Sequence, residues 1–232
     1  MRPKSYSAPE APAGAETLES AELRARALSD GLAGLDDAQA LQLALSRVAG
    51  ARAAELAAAL LARFGSLPEV LGAPAPELRQ VAPAAVAAEL RLWGELQARA
   101  LRAPFRSREV LSSWPQVRDY LRAVMAAAPR EQFRVLFLDR KNRLIADEVM
   151  GWGSVDHAPV YPREVVRRAL ELNASALVLA HNHPSGDPTP SSADIDMTRQ
   201  VVEAARALGL QVHDHLVVGA ASVASLRALG VM

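Results

Sequence analysis

The run Ala176-Leu-Val-Leu-Ala180, followed at once by His181-Asn182-His183-Pro184-Ser185-Gly186, constrains this chain more than any other segment. Unbroken apolar residues bounded by a turn signal read as a short buried strand, and Pro-Ser-Gly forces the chain out of it. The two histidines therefore fall where strand gives way to loop. Side chains alternate in extended chain, so His181 and His183 are expected to point one way and Asn182 the other. Two imidazoles and the carboxylate of Asp194 are the ligand types that zinc takes in open catalytic sites, where a fourth position is left for water. A closed structural site would want more ligands.

Ser191 and Asp194 carry a second, purely local explanation. Ser191-Ser-Ala-Asp194 opens a helical segment, and a serine with an acidic residue three positions later resembles a capping box that satisfies free backbone N–H groups. The short Pro/Gly-bounded loop 184–190 brings that helix start back beside the strand end, so Asp194 is within reach of a metal held by His181 and His183. Both roles are compatible, with the Ser191 hydroxyl aimed into the site. A hydrolytic site of this kind also needs a carboxylate that accepts a proton without ligating the metal. Local sequence leaves Glu131, Glu148, Glu164 and Glu171 as candidates.

The chain has 232 residues, half of them hydrophobic, enough for one large or two small domains. Its formal net charge is zero, which argues against a global field for nucleic acid but not against a local basic face. Eleven arginines lie between Arg91 and Arg143, among them Arg102, Arg106, Arg108, Arg118 and Arg122. Solvated helix faces and a linker are the plain reading of this run, and a phosphate-binding patch is the sharper one. The absence of cysteine excludes disulfides and thiolate metal sites and fits a reducing compartment. No signal-peptide pattern or membrane-length apolar run is present, so a cytoplasmic protein with no membrane partner is expected.

Residues 1–17 are rich in Pro, Ala and Gly and read as a disordered tail. Helical patterns then fill 18–28, 36–48, 52–64, 67–71, 75–81 and 84–101, with breaks at glycine or proline, giving a helical domain over 18–102. Residues 103–113 read as a linker. From 114 the texture changes: a helix over 114–128, strands over 133–138 and 144–149 joined as a hairpin, a helix over 163–172, a strand over 176–180, a helix over 191–208 and a strand over 211–218. The fold class is α+β, with strands interrupted by helices that cover the sheet.

The spacing His-x-His-Pro, Ser191, Asp194, with a distant glutamate ahead of a strand, looks like the signature of JAMM (MPN-plus) metalloproteases. More narrowly, His181-Asn-His-Pro-Ser-Gly-Asp-Pro-Thr-Pro190-Ser191, together with Tyr161-Pro-Arg163-Glu164 and Asp214-His215-Leu-Val-Val-Gly219, resembles the bacterial RadC family from about Ser113 to the C-terminus. The resemblance implies an α/β/α, cytidine-deaminase-like domain with a mixed sheet over 114–232. It implies that His181, His183 and Asp194 bind Zn2+, that Ser191 supports the oxyanion, and that Glu131 is the catalytic glutamate. Asn182 is a departure from the Ser or Thr usual in eukaryotic and archaeal JAMM proteases, and bears on substrate handling. Asp214 and His215 either support a ligand histidine or begin an ordinary strand. His157 and His213 are expected at the surface.

RadC relatives also resemble a helix-hairpin-helix protein in their N-terminal half, where a glycine hairpin lets backbone N–H groups approach DNA phosphate. Here that place reads Gln80-Val81-Ala82-Pro83-Ala84-Ala85, without glycine and with a proline that removes a donor. Two functions from different classes follow. One is a zinc-dependent peptidase or isopeptidase acting on a peptide or isopeptide substrate; the other is a DNA-associated protein of repair or recombination that binds or processes nucleic acid. A binding module that had merely kept the fold would have lost a ligand or Glu131, and neither is lost.

Overall fold

The computed structural model describes residues 18–106, 110, 114–153 and 160–232. The tail 1–17, His157, Arg108 and most of the expected linker lie outside the described residues. The chain forms two compact units, residues 18–70 with 75–90 and residues 71–74 with 91–232.

The first unit is helical: α1 (Leu18–Asp30), α2 (Asp37–Ala49), α3 (Ala53–Phe64), α4 (Leu67–Gly72, entered from this unit), α5 (Ala75–Val81) and the first half of α6 (Ala84–Arg102). Buried residues follow helical spacing, with Ala53, Leu56, Ala57 and Leu60 making one stripe along α3. Asp36 starts α2 by accepting from the Gln39 N–H while the Gln39 side chain returns to the Asp36 N–H. Between α5 and α6 the turn has only two residues, Ala82 and Pro83. The Ala82 N–H is spent on Leu78 O at 2.9 Å, and Pro83 has none.

In the second unit, α7 (Trp114–Met125), β1 (Gln132–Leu138), β2 (Leu144–Trp152), α8 (Pro162–Glu171), β3 (Ala176–Asn182), α9 (Ser192–Ala207), β4 (Gln211–Val218) and β5 (Val223–Ser225) follow in order. The sheet is mixed and five-stranded, β2-β1-β3-β4-β5, with β3 and β4 parallel and the other pairs antiparallel. Strand alternation sends Leu136, Leu138, Val178, Ala180, Leu216 and Val218 toward α7. It sends Phe133, Val135, Phe137, Leu177 and Leu179 toward α8 and α9, so helices cover both faces. Each fully buried leucine or phenylalanine here is worth roughly 1.5–3 kcal/mol, and β3 is buried along its whole length.

Several expectations change. β2 runs on to Trp152 and β3 to Asn182, so His181 and Asn182 belong to the strand rather than to its exit. β5 carries too little pattern to foresee in three residues, and exists because β4 needs an antiparallel partner. The segment 103–113 is not an exposed linker where it is described: Phe105 and Val110 are fully buried in the α7-side core, and the Val110 N–H donates to Asn142 O at 2.7 Å. His213 is not a surface residue. It is buried, and its Nε2 lies 2.7 Å from Asn142 Oδ1 in the β1–β2 turn, where burial and then the Arg227 charge hold its pKa below the ordinary histidine value. No described helix is long and apolar enough to cross a membrane.

Asp214 is buried and accepts from the His215 N–H at 2.7 Å, from the Ser225 hydroxyl and from the Arg227 N–H at 3.1 Å. It holds β5 and the C-terminal turn to β4. Asp214→Ala should therefore cost about 1–3 kcal/mol of unfolding free energy by leaving buried donors unpaired. Chemical denaturation would measure this, and the metal content of the variant should equal that of the wild type.

Candidate metal centre

His181 is the last residue of β3 on the α8/α9 face, after Leu177 and Leu179. It is paired in register with Phe133 of β1 and Val217 of β4 and is buried. His183 lies just past the strand, its N–H bonded to Val218 O at 3.0 Å. The loop then turns back through a Gly186 N–H to His183 O bond of 2.9 Å, with Gly186 at φ 85°. It lies so close to the end of β4 that a Cβ on Gly219 would stand 2.4 Å from Gly186 O. This packing delivers the start of α9 to the histidines.

The capping box of α9 is formed, and it is part of the site. Ser191 Oγ accepts from the Asp194 N–H at 3.2 Å and donates to Asp194 Oδ2 at 2.6 Å, and the Ser191 N–H donates to the same oxygen at 2.8 Å. Asp194 Oδ1 is 3.3 Å from His181 Nε2, and Oδ2 is 3.5 Å from His183 Nε2. One carboxylate thus meets both the helix terminus and the imidazoles. Burial alone would raise the Asp194 carboxyl, while the Ser191 hydroxyl and N–H, both donating to Oδ2, pull it down and favour the carboxylate.

Hydrogen-bond partners fix the tautomers. His183 Nδ1 lies 2.7 Å from the carbonyl oxygen of Asp187, which can only accept, so Nδ1 carries the proton and Nε2 a lone pair. The Thr198 hydroxyl donates to Asp194 O, so its oxygen accepts from His215 Nδ1–H. His215 Nε2 then accepts from His181 Nδ1–H at 2.8 Å, which leaves a lone pair on His181 Nε2. His215 is fully buried, and desolvation holds its pKa well below that of free histidine, in keeping with a neutral ring.

Two Nε2 lone pairs consequently face each other at 3.0 Å beside an anionic carboxylate. Such an arrangement repels itself without a cation between its members, so the donor set fits a metal ion. Among the described residues the cluster is His181, His183 and Asp194, with one donor atom of each within 4.8 Å of the others. Nitrogen, nitrogen and oxygen from three residues make an open site.

Three of the four glutamates are held by arginines. Glu148 is bonded to Arg168 at 2.6 Å, Glu164 to Arg167 at 3.0 Å, and Glu171 to Arg167 and Arg168. Glu131 is buried, yet its carboxylate makes no hydrogen bond or ion pair with any described residue. It immediately precedes β1, two residues before Phe133, whose ring meets His215 edge-on at 5.7 Å.

Asn182 explains why the chain stays there. On the opposite face of β3 its Oδ1 accepts from the Gln132 N–H at 2.9 Å, and its Nδ2 donates to Arg130 O at 3.2 Å and Ala128 O at 3.3 Å. Asn182 therefore clamps the backbone on both sides of Glu131. Sequence reasoning placed Asn182 away from the metal ligands but did not find this role, because Gln132 is fifty residues distant. Thr198 was also missed; its only signal is a position one helical turn after Asp194. Of the pair left open, His215 hydrogen-bonds the candidate ligand His181, whereas Asp214 holds β5.

Losing the His215 bond should cost about 10–100-fold in metal affinity in His215→Ala, while His183→Ala should lose the metal outright. Competition against a chromophoric chelator measures both. Unchanged affinity in His215→Ala would mean that the hydrogen-bond chain does not orient His181.

The sheet, both flanking helix layers and the histidine cluster lie in a segment that a known family describes. The family model of the RadC-like JAB domain matches residues 111–231, and the chain belongs to the RadC-like JAB domain family.

Proposed function

We propose that this protein is a zinc-dependent metallohydrolase that cleaves amide bonds, as a peptidase or isopeptidase, with His181, His183 and Asp194 holding the ion and Glu131 as general base. The observation that carries the reading is the open His-His-Asp cluster, together with a buried glutamate at the start of β1 that has no partner among the described residues. When bound, zinc brings the pKa of a water near to about 7 and polarises a carbonyl oxygen.

The chain's own residues divide the remaining work. Glu131 accepts the proton of the attacking water as its oxygen bonds to the amide carbon. It then hands that proton to the amine nitrogen as the carbon–nitrogen bond breaks. Asn182 keeps Glu131 in place through the flanking backbone. The Ser191 hydroxyl, bonded to Asp194 Oδ2 in this structure, turns to the carbonyl oxygen as negative charge develops there, while the Ser191 N–H stays on Asp194. The α5–α6 turn lacks the glycines that a DNA-directed reading would want.

Glu131→Gln should keep full metal content and lower kcat by about 10²–10⁴-fold, and Ser191→Ala should lower it by about 10²-fold or more. Asn182→Ala should lower kcat with metal content unchanged. A library of quenched-fluorescent peptides and lysine isopeptides, incubated with zinc-loaded protein, provides the assay. Equal turnover by wild type and Glu131→Gln across the library would refute the reading.

A further inference from the structure

The arginine-rich segment is not absorbed by the metal centre. On the α7 face of the sheet, opposite His181, the second half of α6, the turn at Leu71–Gly72, α7 and β1 enclose a cavity of about 270 Å³. All of these elements belong to the second unit. Three arginines line the cavity, Arg91 and Arg102 from α6 and Arg134 from β1, along with Glu95 and Tyr120. A Cβ on Gly94 would stand 2.2 Å from Leu71 O, so one wall is a close approach of helix to backbone that only glycine permits.

The charges around the cavity do not balance. Glu95 is engaged at 2.6 Å by Arg99. Asp147, buried beneath the cavity, takes Arg134 Nη1 at 2.7 Å and the Tyr120 hydroxyl, and lies 3.9 Å from Arg102. One carboxylate is thus shared by two arginines and a tyrosine. Arg91 reaches only the carbonyl oxygens of Gly72 and Ala73, at 3.4 and 3.3 Å. The Nε of Arg134 is shut off from solvent without an acceptor. Arg118 and Arg122 also carry a buried Nε without an acceptor, but neither lines the cavity.

We infer that this cavity is a binding site for a small phosphorylated molecule, its phosphate held by Arg91, Arg102 and Arg134. Three forks approaching from two elements suit the several oxygens of a phosphate better than the two of a planar carboxylate. The volume lies near the lower end of the range for small-molecule sites and leaves room for an organic moiety beside the phosphate. Arg134 pairs across β1 and β3 with Ala180, the residue before His181, so the two sites lie back to back across the same part of the sheet.

The test uses the full chain treated with chelator, so that no metal competes for phosphate. Pyrophosphate and AMP are titrated calorimetrically into the wild type, the double variant Arg91→Met with Arg102→Met, and His183→Ala. Methionine keeps the apolar stems and spares the buried Asp147–Arg134 pair. The expected result is saturable binding of at least one probe to wild type and His183→Ala, weakened about 10-fold or more in the double variant. Absence of saturable binding at millimolar probe, or equal binding in the double variant, would overturn the inference. So would binding confined to a single-stranded oligonucleotide and lost in the double variant. Because the metal ligands are not used, the result is independent of whether the metal centre is hydrolytic.

Discussion

The second unit depends on β3 being buried over its whole length between two helix layers. A central strand has no solvent side, so every residue on it must either be apolar or find partners. Ala176 to Ala180 meet the first condition, and the last two residues of the strand meet the second on opposite faces. His181 joins a chain of imidazoles on the α9 side, and Asn182 closes three hydrogen bonds to the backbone ahead of β1 on the α7 side. The same alternation that packs the core therefore sends one polar residue to each half of the site.

Economy of groups marks the side of the candidate metal site. Asp194 caps a helix and completes the ligand cluster with the same carboxylate, and its backbone carbonyl takes the Thr198 proton that begins the chain through His215 to His181. Capping and ligation are often weighed as alternatives in reading a sequence. Here the cap orients the ligand: Ser191 fixes the Asp194 rotamer, and the first turn of α9 brings it to the histidines.

Elements with strong periodicity were legible. The stripe of α3, the apolar runs of β1 and β3 and the glycine or proline breaks of the helical unit fall where local physics puts them. Boundaries that rest on pairing were not. His181 and Asn182 join β3 because β1 and β4 supply bonding partners beyond the apolar run, and β5 has no pattern of its own. Phe105 and Val110 looked like a linker because charged neighbours surround them, yet core packing claims both. His213 looked free because its acceptor, Asn142, comes from a distant turn.

By itself the sequence determined the candidate ligand types and their spacing around one strand end and one helix start, because alternation and capping are local rules. It also determined that the α5–α6 turn, with Ala82 and Pro83, has no glycine. Only the tertiary structure decided that Arg168 takes Glu148 of β2 and that Glu131 is buried without a partner among the described residues. It alone set the tautomers of His181 and His183 and the clamp of Asn182 on the Glu131 backbone. Those depend on hydrogen bonds between residues far apart in the chain, whose geometry no local pattern encodes.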